Sequence, residues 1–327
     1  MARRNDDALI LFPGALGDFV CFLPTLCALR SRHRGRLLVV VKPALAELID
    51  LPGSSTASID RREIADLFST AATFAPETRI LFHGFPTSYS WTGYGDPAFA
   101  QRIAAVTGGT VHVHAFRGMQ PGEHAVDYYA ACAEISPVGH IGAVLRTDSH
   151  WLAGFERTHQ LGGRRVVLLH AGSGSPRKNW LGFNGLSQYW RARYDDVILR
   201  LHGPAEPPPP RDAELNVLRV GGLSLPQVVA LLRRAALYVG NDSGISHLAG
   251  AVGVGGVVVF GPSDPATWAP RSESLRVVTR LQTCTRCAAE AFCTHQLPVA
   301  VVLDELERAR RHSRTMNRPG HLRHHLD

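Results

Sequence analysis

A loop rich in glycine and serine carries two neighbouring cations near the middle of the chain. The segment His170–Trp180 reads HAGSGSPRKNW and follows an apolar run of strand length. Glycines let the backbone approach a ligand closely, serine hydroxyls can donate to phosphate oxygens, and Arg177 and Lys178 supply positive charge. The spacing is not that of a Walker loop. We expect Ser173, Ser175 and Lys178 to bind an anion, with a plain surface loop as the alternative.

A second segment joins the end of a strand to the start of a helix. The letters NDSGISHLA follow the apolar run Leu237–Gly240. A helix that begins here presents free backbone N–H groups and the positive end of its dipole, which suit a phosphate or a diphosphate. The simpler alternative is that Asp242 or Ser243 only caps the helix. The residues that we predict to contact the anion are Asn241, Asp242, Ser243, Gly244 and His247.

A third strand end, near the N-terminus, carries an acid. The letters PGALGD lie between an apolar run and a helical pattern, and Gly14 and Gly17 form the turn. The third glycine of a dinucleotide-binding loop is missing, and a carboxylate at the helix start repels phosphate. The helix N-terminus stabilises the ionised form of Asp18 by about 0.3–1 kcal/mol, which suits a proton acceptor. A helix-terminal acid without a chemical role is the alternative.

Strands and helices alternate along the chain, and this order must position the three segments. In the first half we predict strands at Ala8–Phe12, Leu37–Val41, Arg79–Phe82 and Thr110–His114, and helices at Phe19–Arg30, Pro97–Val106 and Glu123–Ile135. In the second half we predict strands at Arg165–His170, Val197–His202, Val217–Val220, Leu237–Gly240, Gly256–Phe260 and Leu275–Val278. Alternation of this kind produces parallel sheets, and ligands bind outside the carboxyl ends of their strands.

Taken together, the three segments resemble glycosyltransferase family 9, the heptosyltransferase family. The resemblance includes Leu23-Pro24 in the first helix and the letters FGPSDP that begin at Phe260, and it covers about residues 8–303. It implies a GT-B-type α/β fold, in which two Rossmann-like, doubly wound parallel-sheet domains face a central cleft. Family members often carry a basic residue where this chain has Phe12-Pro13. That departure bears on the acceptor or the sugar more than on the fold.

The resemblance and the element order together give a domain plan. We expect an N-terminal acceptor domain at residues 1–150 and a nucleotide-sugar donor domain at residues 164–300. A connecting helix is predicted at residues 151–163, and a C-terminal helix at residues 301–313 is predicted to pack back on the N-terminal domain. Residues 314–327 are predicted to form a basic tail.

The activity that the resemblance implies is an inverting glycosyl transfer. A heptose-like sugar would move from a nucleotide-diphosphate donor, ADP-heptose in the best-known members, to a lipopolysaccharide or another glycan acceptor, without a required cofactor. By carry-over, Asp18 is the general base, while Lys178 and the serines of its loop hold the diphosphate together with Asp242, Ser243, Gly244 and His247. Two alternatives stay open: a sugar-nucleotide epimerase of related fold, which needs no acceptor, and a non-catalytic nucleotide-sugar binding protein.

An aromatic-rich segment and a cysteine-rich segment fall outside this scheme. The segment Gly84–Tyr94, interpreted as a loop, could stack on an acceptor sugar, but we favour ordinary packing because aromatic side chains cover apolar surface in most folds. Near the end of the second domain, one CxxC pair with two loosely spaced further ligands makes a weak zinc site, and we favour reduced packing cysteines. The four candidate zinc ligands are Cys284, Cys287, Cys293 and His295.

Composition and charge limit the expected cellular location of the protein and the classes of partner it binds. The 327 residues are 45% hydrophobic and 19% charged, and they contain neither the roughly 18-residue apolar run of a membrane span nor a signal-peptide pattern, so we expect a cytoplasmic protein. The formal charge is +7, of which residues 308–327 carry +5. Because the rest of the chain is nearly neutral, we expect no nucleic-acid role. The basic tail is expected to make weak contact with the inner face of the cytoplasmic membrane.

Overall fold

The chain folds into two units, each built around one parallel sheet. The computed structural model describes residues 6–137, 139, 141–203, 217–279, 294 and 297–316. The first unit is Met1–Arg146 and the second is Thr147–Asp327. The two Rossmann-like α/β domains predicted from the sequence are confirmed.

The first unit has five strands in the order β3-β2-β1-β4-β5, all parallel. Its strands are β1 (Ala8–Leu11), β2 (Leu37–Val41), β3 (Ser54–Ser58), β4 (Thr87–Ser90) and β5 (Thr110–Val113). Its helices are α1 (Leu16–Arg32), α2 (Pro43–Leu48), α3 (Arg62–Asp66), α4 (Pro76–Phe82), α5 (Pro97–Thr107) and α6 (Ala125–Cys132). Because β1 lies between β2 and β4, it is buried along its whole length and fixes the start of α1 at the middle of the sheet.

Two predictions for the first unit are wrong. The run predicted as a strand at Arg79–Phe82 belongs to helix α4, whose Pro76 occupies the first turn, where a missing N–H costs nothing. The strand next to β1 is instead β4, which lies within the aromatic-rich segment that was interpreted as a loop. Its serine hydroxyls are fully buried, so the strand lacks the apolar pattern of its neighbours.

The second unit has six parallel strands in the order β11-β10-β9-β6-β7-β8. Its strands are β6 (Val166–His170), β7 (Val197–His202), β8 (Leu218–Gly221), β9 (Leu237–Asn241), β10 (Gly256–Val259) and β11 (Leu275–Val278). Its helices are α7 (Ser149–Thr158), α8 (Phe183–Arg193), α9 (Leu225–Arg234), α10 (Gly244–Val252), α11 (Pro265–Trp268) and α12 (Val299–Met316). All six predicted strands are present, and each is a short run of mainly apolar residues, with an arginine in β7, β8 and β11.

The C-terminal helix α12 packs on the second sheet. Its buried residues Val302, Leu303, Leu306 and Ala309 join the core of the second unit, against β9, β10 and β11. Arg310 is buried, pairs with Asp196, and stacks on Tyr194 at 4.1 Å. The helix was predicted from the sequence to pack back on the N-terminal domain; its buried apolar side chains complete the core of the second unit. Among the described residues, no helix is both long enough and apolar enough to cross a bilayer.

Candidate active site

Asp18 lies in the first turn of α1, at the carboxyl end of the central strand of the first sheet. The backbone N–H of Ala15, which precedes the helix, donates to Oδ2 of Asp18 at 3.2 Å. The turn needs glycine at position 14, because a Cβ there would lie 2.4 Å from the ring of Phe12 and 2.8 Å from the Cβ of Asp18. The turn thus brings the backbone of Gly14 close to the Cβ atom of Asp18.

Arg117 is the principal partner of this carboxylate. Its guanidinium donates to Oδ1 of Asp18 from Nε at 3.2 Å and from Nη2 at 2.9 Å, and Nη2 also approaches Oδ2 at 3.1 Å. The side chain of Asp18 is only 4% exposed, whereas that of Arg117 is 58% exposed. With the Ala15 N–H, these contacts engage the lone-pair directions of both oxygens. For Asp18 to accept a hydrogen bond from a further group, one of these hydrogen bonds must lengthen. The side chain of Arg117 is exposed, so its hydrogen bonds can lengthen more readily than that of the Ala15 N–H.

Arg117 was not among the site residues predicted from the sequence. It lies 99 positions from Asp18, so no local spacing connects the two. The usable signal was its position shortly after β5, because the carboxyl ends of parallel strands meet at one edge of the sheet.

An aromatic cluster lies beneath this edge. The ring of Phe12 stacks on that of Phe22 with centroids 4.3 Å apart and meets the rings of Trp91, Phe116 and Tyr129 edge-on at 5.3–6.0 Å. Burial first, and then the nearby negative charge of Asp18, raises the pKa of Tyr129 above its ordinary value. The buried Tyr129 phenol therefore stays protonated to a higher pH than a free tyrosine.

In the second unit, an ion pair joins two of the predicted segments. Nζ of Lys178 lies 2.7 Å from Oδ2 of Asp242. Strands β6 and β9 are neighbours, with His170 opposite Gly240, so the loop after β6 and the turn after β9 leave the same edge of the sheet. The side chain of Asp242 is 6% exposed and that of Lys178 is 30% exposed. A buried anion thus holds a partly exposed cation at the carboxyl edge.

Asn241 and Ser173 hold the loop in place. Nδ2 of Asn241 donates to the carbonyl of Ala171 at 2.6 Å, and its Oδ1 accepts from the N–H of Trp180 at 3.1 Å. Both ends of the loop are thereby tied to β9. The hydroxyl of Ser173 lies 2.6 Å from the carbonyl of Ser175 and accepts from the N–H of that residue. These contacts give Asn241 and Ser173 a positioning role, while the anion contact expected of them stays a prediction.

The start of α10 is fixed by a chain of buried hydroxyls. The side chain of Ser243 accepts from the N–H of Ser246 at 3.4 Å and lies 3.2 Å from Nδ1 of His170. Ser246 Oγ donates to the carbonyl of Asn241 at 2.5 Å. Gly244 is the first helical residue, and His247 is buried one turn further along. The helix therefore points its N-terminus toward the edge that holds Lys178, as an anion site requires.

Two of the three predicted segments come together within the second unit, because the candidate donor residues lie at the ends of the neighbouring strands β6 and β9. Asp18 is part of the first unit. Within the described ranges no group of three His, Cys, Asp or Glu side chains could hold a metal ion. The candidate zinc ligands Cys284, Cys287, Cys293 and His295 lie outside the described residues.

Several solved glycosyltransferases share this fold. The glycosyl transferase family 9 protein from Veillonella parvula DSM 2008 superposes with a TM-score of 0.74 at 18% identity, over 95% of this chain and 99% of the other. The E. coli ADP-heptose lps heptosyltransferase II gives 0.69 at 17% identity, over 94% and 99%. E. coli heptosyltransferase WaaC with ADP gives 0.63 at 19% identity, over 93% and 99%. The fold is therefore that of the GT-B glycosyltransferases.

A family model matches part of the chain and is more specific than the fold. Residues 152–295 match glycosyltransferase family 9 (heptosyltransferase), which confirms the resemblance drawn from the sequence. The glycosyltransferase family 9 match thus lies in the second unit, and the whole chain shares the fold of the heptosyltransferases named above. No curated protein sequence matched the chain.

Proposed function

We propose that this protein transfers a heptose-like sugar from ADP-heptose to a lipopolysaccharide or another glycan acceptor, with inversion at the anomeric carbon. In this scheme the first unit binds the acceptor and the second binds the donor. The observation that carries the proposal is the Lys178–Asp242 pair beside the N-terminus of α10. The names of two similar proteins support the donor, since one acts with ADP-heptose and the other was solved with ADP.

The donor end supplies fixed positive charge for a departing diphosphate. As the bond from the anomeric carbon to the diphosphate breaks, negative charge develops on the leaving oxygen. The ammonium of Lys178 and the free N–H groups at the start of α10 are suited to stabilise it. Because Asp242 is buried and fixes Lys178 at 2.7 Å, the cation is positioned before the donor arrives.

The acceptor end supplies the base. We propose that Asp18 takes the proton of the acceptor hydroxyl while that oxygen forms its bond to the anomeric carbon, on the face opposite the diphosphate. Arg117 orients the carboxylate and gives up one hydrogen bond when the hydroxyl approaches. The step needs no cofactor, and a chelator is expected to leave its rate unchanged.

Thermal unfolding in the presence of nucleotides tests the donor. ADP-heptose and ADP are expected to stabilise the protein, by about 2.7 kcal/mol for a ligand at 100 times its dissociation constant. GDP-mannose and UDP-glucose serve as matched controls and are expected to have little effect. Stabilisation by a GDP or UDP sugar alone would show that the donor base is wrong. No stabilisation by any nucleotide sugar would contradict the proposed function.

We further propose that the protein works in the cytoplasm, at the inner face of the membrane. The support is the net charge of +2 on residues 314–327, which hold Arg314, Arg318 and Arg323 against Asp327, since each basic residue near anionic lipid contributes about 1 kcal/mol. Sedimentation with phosphatidylglycerol vesicles at low salt checks this, with a chain ending at residue 313 as the control. Equal binding of both chains would exclude a role for the tail.

A further inference from the structure

Tyr94 is an exposed aromatic side chain that follows the strand next to Asp18. It is 67% exposed, whereas Tyr89 and Trp91 of the same segment are buried in the core. We propose that Tyr94 is a stacking platform for a sugar ring of the acceptor and thereby determines acceptor specificity. This inference rests on the proposed glycan acceptor.

The turn that carries Tyr94 is fixed on both sides of the tyrosine. Gly93 and Gly95 adopt positive φ angles of +73° and +82°. A Cβ on Gly93 would lie 2.1 Å from the ring of Phe99, so the turn packs directly on α5 and only glycine fits there. The backbone on both sides of Tyr94 therefore has a defined conformation, which fixes where the exposed ring leaves the chain.

Hydrogen bonds hold the entry and the exit of this turn. At the entry, the hydroxyl of Ser90 donates to the carbonyl of Thr92 at 2.9 Å and accepts from its N–H at 3.2 Å. At the exit, the N–H of Asp96 donates to the carbonyl of Gly93 at 3.1 Å. The Asp96 carboxylate then caps α5 by accepting from two backbone N–H groups. The ring of Tyr94 is therefore presented by a rigid segment, which lowers the entropy lost on binding.

The sheet register places this turn beside the candidate base. Strand β4 pairs with β1 so that Ser90 lies opposite Leu11, and the N–H of Trp91 donates to the carbonyl of Leu11 at 2.9 Å. The rings of Phe12 and Trp91 are in contact, with centroids 6.0 Å apart. The chain leaving β4 toward Tyr94 therefore starts next to the chain leaving β1 toward Asp18.

The other neighbour of β4 completes the arrangement. Ser90 also lies opposite Val113 of β5, and the chain leaving β5 carries Arg117, the partner of Asp18. The exit from β4 is thus flanked by the exits that hold the base and its arginine. In this proposal, an acceptor whose hydroxyl reaches Asp18 extends its neighbouring sugar rings toward the turn that carries Tyr94.

The chemistry of the ring suits a carbohydrate. A pyranose presents C–H groups on one face, and these pack against an aromatic ring without loss of the hydroxyl hydrogen bonds at the edge. Exposure alone is not informative, since single exposed apolar residues are common. Ile80 on α4 is 83% exposed and has no such setting, because the middle of a helix carries it. It therefore provides a matched control.

The test compares Tyr94→Ala, Tyr94→Phe and Ile80→Ala with the unmodified chain. The probe is the deacylated core oligosaccharide of a heptose-deficient lipopolysaccharide, and its dissociation constant is measured by calorimetry. Tyr94→Ala is expected to weaken binding about five- to tenfold, within the range of one aromatic stacking contact. Tyr94→Phe and Ile80→Ala are expected to stay within twofold. Binding of ADP-heptose and the melting temperature are expected to be unchanged in all three.

The outcomes separate this proposal from the proposed function. An unmodified chain that does not bind the oligosaccharide, or an unchanged dissociation constant in Tyr94→Ala, would overturn the stacking platform. An equal loss in Tyr94→Phe would overturn it as well, because it would assign the effect to the hydroxyl. A chain that binds the oligosaccharide through Tyr94 but transfers no sugar to it would contradict only the proposed function.

Discussion

Both sheets carry a buried acid paired with a more exposed cation at their carboxyl ends, but the reacting or binding member that we propose differs between the two pairs. At the first sheet a buried acid, Asp18, is held by the exposed cation Arg117. At the second sheet a buried acid, Asp242, holds the cation Lys178, which is half as exposed as Arg117 and lies beside a helix N-terminus. In the first pair the buried member is the group that we propose to react. In the second pair the buried member only positions the group that we propose to bind.

The two pairs are therefore suited to different steps, donor binding at the second sheet and proton transfer at the first. A diphosphate needs positive charge that is in place before it binds, and the network around Asn241 and Ser246 provides a rigid frame for that charge. A general base needs an orienting partner that can yield when the acceptor hydroxyl arrives. Residues of the second edge should therefore affect donor affinity, and those of the first should affect turnover.

Replacement of the proposed base, Asp18, is expected to have the largest effect. Asp18→Asn is expected to lower kcat by 10²–10⁴, or about 3–5 kcal/mol, because an amide cannot take the acceptor proton. The dissociation constant for ADP-heptose is expected to stay the same, as measured by calorimetry. Asp148→Asn is a matched control, since asparagine caps α7 as well as aspartate does. Full turnover in Asp18→Asn would show that another group is the base.

Removal of the Lys178 cation should have an effect of intermediate size, and it should lower donor affinity and not kcat. Lys178→Ala is expected to weaken ADP-heptose binding by about 1.5–3 kcal/mol, because one charge-assisted contact is lost. Lys178→Arg keeps the charge beside the buried Asp242 and should recover part of the affinity. Arg276→Ala, which removes an exposed ion pair on β11, is the control. Unchanged donor affinity in Lys178→Ala, at an unchanged melting temperature, would separate the ion pair from the donor site.

The exposed partner of the base should give the smallest effect. Arg117→Lys is expected to lower kcat about five- to thirtyfold, or about 1–2 kcal/mol, because a single ammonium cannot orient both carboxylate oxygens. The affinity for ADP-heptose and the melting temperature are expected to be unchanged. Arg36→Lys alters a salt bridge with Asp7 at the amino end of β2 and serves as the control. An unchanged kcat would show that Asp18 does not depend on Arg117 for its orientation.

The second sheet could be predicted from the sequence, and part of the first could not. Each strand of the second sheet is a short run of mainly apolar residues, although β7, β8 and β11 each contain an arginine, and buried parallel strands favour that pattern. Strand β3 reads SSTAS and β4 reads TSYS, so neither shows the pattern, although sheet pairing holds both. The apolar run at Arg79–Phe82 was mistaken for a strand because four residues do not distinguish the two periods.

The candidate site shows the same limit. Lys178 and Asp242 could be predicted because each follows an apolar strand and ligands bind at such ends, but their mutual contact depends on the pairing of β6 with β9. Arg117 could not be predicted to contact Asp18, since the contact depends on the order β1-β4-β5 and β4 was placed wrongly. The orienting role of Asn241 likewise appears only when its two backbone partners are brought together by folding.

The release of ADP tests the central claim most directly. Purified protein is mixed with ADP-heptose, with and without the deacylated core oligosaccharide of a heptose-deficient lipopolysaccharide, and ADP and glycosylated product are measured together. We predict that ADP forms only when the acceptor is present, in equal amount to the transferred sugar. Consumption of the donor without an acceptor, or binding of both substrates with no ADP released, would contradict the account.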